Sequence, residues 1–190
     1  MIITAGKYKG RKLKTPKTYD VRPTSSKVRE SIFNMVQLTE AGTIFYEGET
    51  MFLDLFAGSG VMGLEALSRG AKKVVFVEKN PEAVKILQLN ISVISDKDNI
   101  KLIRENSLKI LAKFRENEFN FIFADPPYEA GLYEPVLKTI AENSILAKNG
   151  FIVLEHAREA QITDLSSRYN FNVFKTKIYG DTGITIIIPA

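Results

Sequence analysis

The stretch Met51-Phe52-Leu53-Asp54-Leu55-Phe56-Ala57-Gly58-Ser59-Gly60 decides the fold. Its first six residues read as a buried strand, apolar apart from one acid. The glycines that follow allow a tight turn and let a ligand approach the backbone closely. A helix over Gly60–Arg69 starts on that turn, and Gly70 ends it. Strand, turn and helix make one βα unit whose free N–H groups lie beyond the strand end. Gly58, Gly60 and Gly63 also satisfy G-x-G-x-x-G spacing, but that pattern alone describes many strand–helix turns.

The alternation continues downstream. Lys73–Glu78 is a second predicted strand, and Pro81 opens a helix with Ala83, Leu87, Ile91 and Ile94 on one face. Ile100–Arg104 is a third strand, followed by a helix from about Ser107 to Arg115. Phe119–Ala124 is a fourth, followed by a helix near Tyr133–Leu146; Phe151–Glu155 is a fifth, followed by a helix over Glu159–Tyr169. Phe171–Tyr179 and Gly183–Ile188 flank the turn Gly180-Asp181-Thr182-Gly183 and form an antiparallel pair. Strict β/α alternation predicts an α/β fold, a mostly parallel sheet with helices on both faces. Upstream of a loop around Gly42–Glu49, Val28, Ile32, Met35 and Val36 mark a helix capped by Thr24 or Ser25, its exposed face carrying Lys27 and Arg29. Residues 1–24, punctuated by Gly6, Gly10, Pro16 and Pro23, read as a basic, hairpin-like arm; residues 25–190 form the main domain.

The chain has 190 residues, 45% hydrophobic and 25% charged, which suits one globular domain with a small appendage. It has no cysteine, so disulfides, thiolate metal sites and a cysteine nucleophile are excluded. The single histidine, His156, reads as structural or peripheral, and no residue spacing suits a metal, so none is expected. The start lacks the charged-then-apolar order of a signal peptide, and no apolar run approaches the ~20 residues that span a bilayer. A cytoplasmic location is expected, with no membrane partner. The net charge of +4 is unevenly spread: residues 1–30 hold nine basic and two acidic side chains, whereas the rest carry more acids than bases. A concentrated positive field suits a polyanion. Lys7, Lys9, Arg11, Lys12, Arg22, Lys27 and Arg29 are therefore candidate RNA contacts, with Tyr8 and Tyr19 placed to stack on bases.

Open parallel sheets bind ligands beyond the C-terminal strand ends, where strand order reverses. Four features fall there. Phe56-Ala57-Gly58-Ser59-Gly60 supplies a close-approach loop, and Asp54 beneath it suits a cationic sulfonium or ammonium better than a pyrophosphate. Glu78, ending the second strand, suits the two hydroxyls of a ribose. Asn106-Ser107, ending the third, would sit near an adenine ring. Asp125-Pro126-Pro127-Tyr128 ends the fourth. A nitrogen conjugated to a ring or carbonyl is a poor nucleophile, because its lone pair is delocalised. A carboxylate, proline-flanking carbonyls and a tyrosine ring hold its hydrogens and its plane, so the tetrad reads as a site that methylates such a nitrogen.

With these residues in place the chain resembles the bacterial small-subunit (16S) ribosomal RNA guanine-N2 methyltransferases of the RsmD type. These are S-adenosylmethionine-dependent, Rossmann-like class I methyltransferases. The resemblance runs end to end, through Gly6…Gly10-Arg11, Arg22-Pro23-Thr24…Lys27-Val28-Arg29-Glu30…Phe33-Asn34, the Asp54–Gly60 loop, and Gly63-Leu64-Glu65-Ala66…Ser68-Arg69-Gly70-Ala71. It continues in Glu78, the Asp-Pro-Pro-Tyr tetrad and Tyr179-Gly180-Asp181-Thr182. The Arg-Pro-Thr block and the Ser-Arg-Gly-Ala helix end are its more specific parts. Met62, Ser25-Ser26, and Asn106 where an acid is common, depart from the usual pattern.

The resemblance implies a seven-stranded, mostly parallel sheet with a final antiparallel strand and a small N-terminal extension that holds RNA. It implies S-adenosylmethionine as methyl donor and 16S rRNA, within a small-subunit particle, as partner, with guanine 966 as the family-type target. Asp125, Pro126 and Tyr128 are then the expected catalytic residues; Asp54, Phe56, Ala57, Gly58, Ser59, Gly60, Glu78, Asn106, Ser107 and Asp125 are the expected cofactor contacts. Adenine-N6 DNA and protein-glutamine methyltransferases use a similar tetrad, and a non-catalytic RNA-binding assembly module is a further alternative. A nicotinamide dehydrogenase fits only the glycine spacing.

Overall fold

Seven strands form one sheet in the order β3-β2-β1-β4-β5-β7-β6, in a computed structural model that describes residues 1–15, 25–36 and 48–190. The elements are α1 (Ser26–Val36), β1 (Met51–Leu55), α2 (Val61–Ser68), β2 (Lys73–Val77), α3 (Pro81–Ser92), β3 (Ile100–Ile103) and α4 (Ser107–Leu111). There follow β4 (Phe119–Ala124), α5 (Tyr133–Glu142), β5 (Leu146–Ala157), α6 (Ile162–Arg168), β6 (Phe171–Tyr179) and β7 (Thr182–Pro189). Tyr19, Arg22, Thr24 and the prolines at 16 and 23 lie outside the described residues, as does most of the loop before β1.

Alternation along the strands builds two cores. One face carries Phe52, Phe76, Phe121, Phe123, Phe151, Val153, Ile184 and Ile186, covered by α1, α2, α3 and the N-terminal hairpin. Phe52, Phe121 and Phe151 form a ring ladder across β1, β4 and β5, with centroids 4.4 and 4.3 Å apart. The other face carries Leu53, Leu55, Val75, Val77, Ile122, Ala124, Ile152 and Leu154, covered by α4, α5 and α6. Strands β1 to β5 run parallel, so their C-terminal ends share one edge of the molecule. Strand order reverses between β1 and β4.

Several element boundaries differ from the sequence reading. The helix expected near Tyr133–Leu146 stops at Glu142, because Ser144 adopts φ +49° and turns the chain. Ile145 and Leu146 instead pair with β4, where Phe119 N–H donates to Ile145 O at 3.1 Å, and β5 is longer than expected. Helix α4 ends at Leu111 because the next amides, of Lys113 and Phe114, bond three residues back. That tighter turn sets Phe114 edge-on to Phe119 at 4.9 Å. The β6–β7 pair is antiparallel, as its turn requires, but β7 also inserts between β5 and β6, leaving β6 as the outer edge.

The N-terminal arm packs on the core. Ile2 and Lys12 form an antiparallel bridge, with Ile3, Tyr8 and Leu13 buried against the first core. Glu65 of α2, fully buried, accepts from Thr4 N–H at 2.8 Å, Thr4 Oγ1 at 2.6 Å and Ala5 N–H at 3.1 Å. It also receives Arg69 at 2.9 Å and Arg29 at 3.8 Å. Gly6 lies so close to α2 that a Cβ there would fall 1.8 Å from Ser68 O, at a φ of +77°. The arm is anchored to the main domain by a buried ionic cluster.

Candidate active site

The strand register brings the site together. Leu55 pairs with Val77 on one side and Ala124 on the other, and Ala124 pairs with Leu154. The next residues, Phe56, Glu78, Asp125 and Glu155, therefore stand side by side at the C-terminal edge. Sequence spacing does not show Glu155 as a member of this row. Its neighbourhood follows only from the β4–β5 register, and the residue is 5% exposed.

The glycine turn is shaped for close approach. Phe56 holds φ +62°, a strained conformation for a residue with a Cβ, and its ring packs into the second core. Ala57 N–H donates to Val77 O at 3.0 Å, and Gly60 N–H closes the turn on Ala57 O at 2.7 Å. A Cβ on Gly58 would meet only Phe56 O, 4.0 Å away, so the space beside it is open. Gly60 and Gly63 serve packing instead: a Cβ on either would fall 2.1 Å from Leu87 Cδ1 or 2.3 Å from Phe76 Cε1. Glu78 braces the loop from the next strand, accepting from Gly58 N–H at 2.8 Å and Asn80 N–H at 2.7 Å. Its exposure is intermediate, and it sits at the rim of the open space.

Asp54 lies under the loop at 1% exposure and accepts from Gly63 N–H at 2.9 Å. It thereby satisfies an amide in the first turn of α2. Burial raises its pKa well above the usual carboxylate range, against the lowering by that amide bond. Asn106 caps α4 from its side-chain oxygen, accepting from Leu108 N–H at 3.0 Å and Lys109 N–H at 3.3 Å. That oxygen is committed to the helix, and Ser107 behind it is buried. Asn90, absent from the sequence reading, ties the arm to the loop. Its side chain exchanges bonds with Lys14 N and O at 2.8 and 3.0 Å and donates to Ser59 O at 2.8 Å.

The tetrad follows β4 as an extended, proline-stiffened turn, with Pro126 buried and Pro127 exposed. Burial pushes the Asp125 carboxyl well above its ordinary pKa, and the charges of Glu155 and Asp54 push it further. Tyr128 is 40% exposed, and its hydroxyl meets Thr182 Oγ1 at 3.0 Å. Burial raises its phenol pKa and that of nearby Tyr133, whose hydroxyl accepts from Ala157 N–H at 3.1 Å. His156 is 2% exposed and bonds Ala157 O and Thr185 Oγ1, each at 2.8 Å. Burial lowers its pKa, so it is a neutral core residue whose ring fills the space above Gly183. Among the described residues no cluster of three or more His, Asp or Glu side chains is arranged to hold a metal.

The basic residues separate into exposed and buried sets. Lys9, Arg11, Lys12 and Lys27 are exposed, and Arg22 lies outside the described residues. Lys7 is exposed but bonded to Asp96 at 2.7 Å. Arg29 does not lie on the open face of α1: it is fully buried, donating to Ile2 O at 2.6 Å beside Glu65. Its buried side of the helix follows from the spacing to Ile32, Phe33 and Val36, which a charge count ignores. Tyr8 is 6% exposed and bonded through its hydroxyl to Ser95 and Asp96, so its ring is not presented for stacking. The turn carrying Lys7 sits at the C-terminal end of α2, with Lys7 N–H on Ser68 O. The glycine loop is at the other end of that helix, ~12 Å away at 1.5 Å per residue.

A sheet of this order, with its ligand edge at the β1–β4 reversal, is the Rossmann-like class I methyltransferase architecture. The family model described as Conserved hypothetical protein 95 matches residues 1–188, and the chain belongs to that family, the RsmD family. YlbH of Bacillus subtilis, provisionally named an rRNA methyltransferase, is 37% identical over 98% of this chain and 97% of its own length. Ribosomal RNA small subunit methyltransferase D of Escherichia coli (strain K12) is 32% identical over 94% of this chain and 84% of its own. The solved structure of yhhF from Escherichia coli, provisionally named a methyltransferase, superposes with a TM-score of 0.83 at 28% identity. It covers all of this chain and 97% of that one.

Proposed function

We propose that this protein transfers a methyl group from S-adenosylmethionine to the exocyclic N2 of a guanine in small-subunit ribosomal RNA, the family-type target being guanine 966. The observation that carries the reading is the placement of the tetrad. Asp125 and Tyr128 follow the strand paired with β1, beside the open glycine turn, and Asp125 stands in a row with Phe56 and Glu78. The names of the relatives, which act on ribosomal RNA, support the substrate class.

The residues present fit the donor. The open side of Gly58 admits the cofactor backbone, and Glu78 exchanges or shares its loop bonds with the ribose hydroxyls. Phe56, Ala57, Ser59 and Gly60 form the wall, and Asn106 and Ser107 border the adenine side with the Asn106 amide NH2 as donor. Asp54 acts from beneath: a cationic ammonium or sulfonium above the loop favours its ionised form. The bound donor supplies an electrophilic methyl on a sulfonium. The target base leaves its stack at a cost of a few kcal/mol, offset by stacking on the Tyr128 ring. The Tyr128–Thr182 bond holds that ring in place. Asp125 and the Pro126 carbonyl accept the two N2 hydrogens, so the nitrogen lone pair points at the methyl. Transfer is a direct displacement, and positioning supplies the rate. Asp125, next to Glu155, is placed to accept the proton that the methylated nitrogen releases.

Methyl-transfer assays with protein-free 16S rRNA, small subunits, duplex DNA and a glutamine-bearing release factor test the reading. Labelled N2-methylguanine in ribosomal RNA is expected. Label only in DNA or protein assigns the tetrad to another substrate, and no cofactor binding by calorimetry leaves a non-catalytic module.

A further inference from the structure

We propose that the outer edge of the sheet, strand β6 with the adjacent side of α1, is a second RNA-binding surface that guides the strand flanking the target base into the site. The inference deepens the reading of RNA as substrate and rests on it. Edge strand β6 carries two exposed lysines, Lys175 and Lys177, and no acid. Lys175, Lys177 and Tyr179 pair with Ile186, Ile184 and Thr182, so they alternate onto one face of the strand. Adjacent members of that row are ~6.8 Å apart, a spacing that lets each lysine meet a different phosphate of one strand.

Helix α1 widens the row. Tyr179 hydroxyl donates to Ser31 Oγ, and Lys177 Nζ reaches the same oxygen at 3.5 Å. Lys27 and Asn34 lie one turn to either side of Ser31 and are exposed, with Glu30 the exposed acid on that helix. At the other limit, Tyr179 pairs with Thr182, whose hydroxyl holds Tyr128. The surface is thus continuous with the ring proposed to stack on the base. Phe174 stands at the irregularity between Val173 and Lys175 and is 45% exposed, an aromatic face beside two cations. Edge strands also carry lysine to block pairing with other chains. That role alone does not explain an exposed phenylalanine beside them, which favours association. The burial of Arg29 and the pairing of Lys7 add to the case, since the first thirty residues offer less free charge than their composition suggests.

Three variants test this: K175A/K177A, K175R/K177R and F174A. Binding of a 16S rRNA fragment is followed by anisotropy between about 50 and 200 mM salt, alongside steady-state methylation. The alanine pair is expected to raise the KM for RNA several-fold and to lower the salt slope of log K by about 1.4 to 1.8. Its kcat, cofactor affinity and melting temperature should match the parent, and the arginine pair should retain parental binding. F174A should weaken RNA binding and leave the salt slope unchanged. An alanine pair with parental KM and slope overturns the surface while leaving the methyltransferase reading intact. A parent protein that neither binds nor methylates RNA overturns both, and a melting temperature lowered in every variant assigns the edge a structural role.

Discussion

Asp125 is held where its charge is unfavourable, and its substitution has two separable consequences. Asp125→Asn retains shape and one acceptor but cannot take the proton that the methylated nitrogen releases, so methyl transfer should fall by about 100-fold or more with cofactor affinity little changed. Stability should move the opposite way. A carboxyl whose folded pKa lies above its unfolded one binds more protons when folded, so the native state loses stability as pH rises between the two values. Asp125→Asn removes that loss. The variant should melt higher than the parent at pH 8, and the difference should vanish below pH ~3, where both states hold the proton. Denaturant titrations across that range check the sign. Glu78 is the second residue-scale test. Glu78→Ala strips the acceptor from Gly58 and Asn80, and the cofactor Kd measured by calorimetry should rise at least 10-fold, since one charge-assisted bond contributes ~1.5–3 kcal/mol.

Helix α2 connects these residues to the rest of the chain. Its N-terminal turn carries the glycine loop and rests on Asp54, its interior glycine fits against Phe76, and Glu65 near its far end anchors the arm. Helix propensity favours Gly63→Ala, but a Cβ 2.3 Å from an aromatic carbon and 2.6 Å from Val74 Cγ1 forces the helix off the sheet. A net loss of about 1–3 kcal/mol is expected from urea unfolding. Glu65→Ala should cost more, about 3–5 kcal/mol, because it leaves buried Arg29 without its facing charge and frees the amides of Thr4 and Ala5. Limited proteolysis should then cut within the first fifteen residues, which the parent protects. Protection equal to the parent would show that Ser68, Asn90 and Tyr8 hold the arm without the ionic cluster.

Across the whole molecule, the proposed cofactor and RNA approach one strand edge from its two flanks. The residues proposed to hold the donor follow β1, β2 and β4, whereas β6, β7 and α1 border the proposed base site. S-adenosylmethionine at about 100 times its Kd should stabilise the protein by ~2.7 kcal/mol. For a chain of this length that raises the melting temperature by roughly 5–11 °C. No rise in a thermal melt with excess donor would remove the cofactor from the account. Among the described residues no helix is long and apolar enough to cross a membrane.

The parallel sheet and the residues at its strand ends, the tetrad among them, were legible in the chain alone, because hydrophobic period, glycine turns and Asp-Pro-Pro-Tyr are local signals. Adjacent residues carry them, so no distant contact is needed to see them. What the tertiary structure alone decided is which charges are matched and which strands meet. Glu155 joins Asp125 only through strand register, β7 enters between β5 and β6 only through sheet closure, and Arg29 is withdrawn from the surface because Glu65 lies under it. A cation on a chain reads as surface charge until a counter-charge from a distant helix makes its burial cheaper than its exposure.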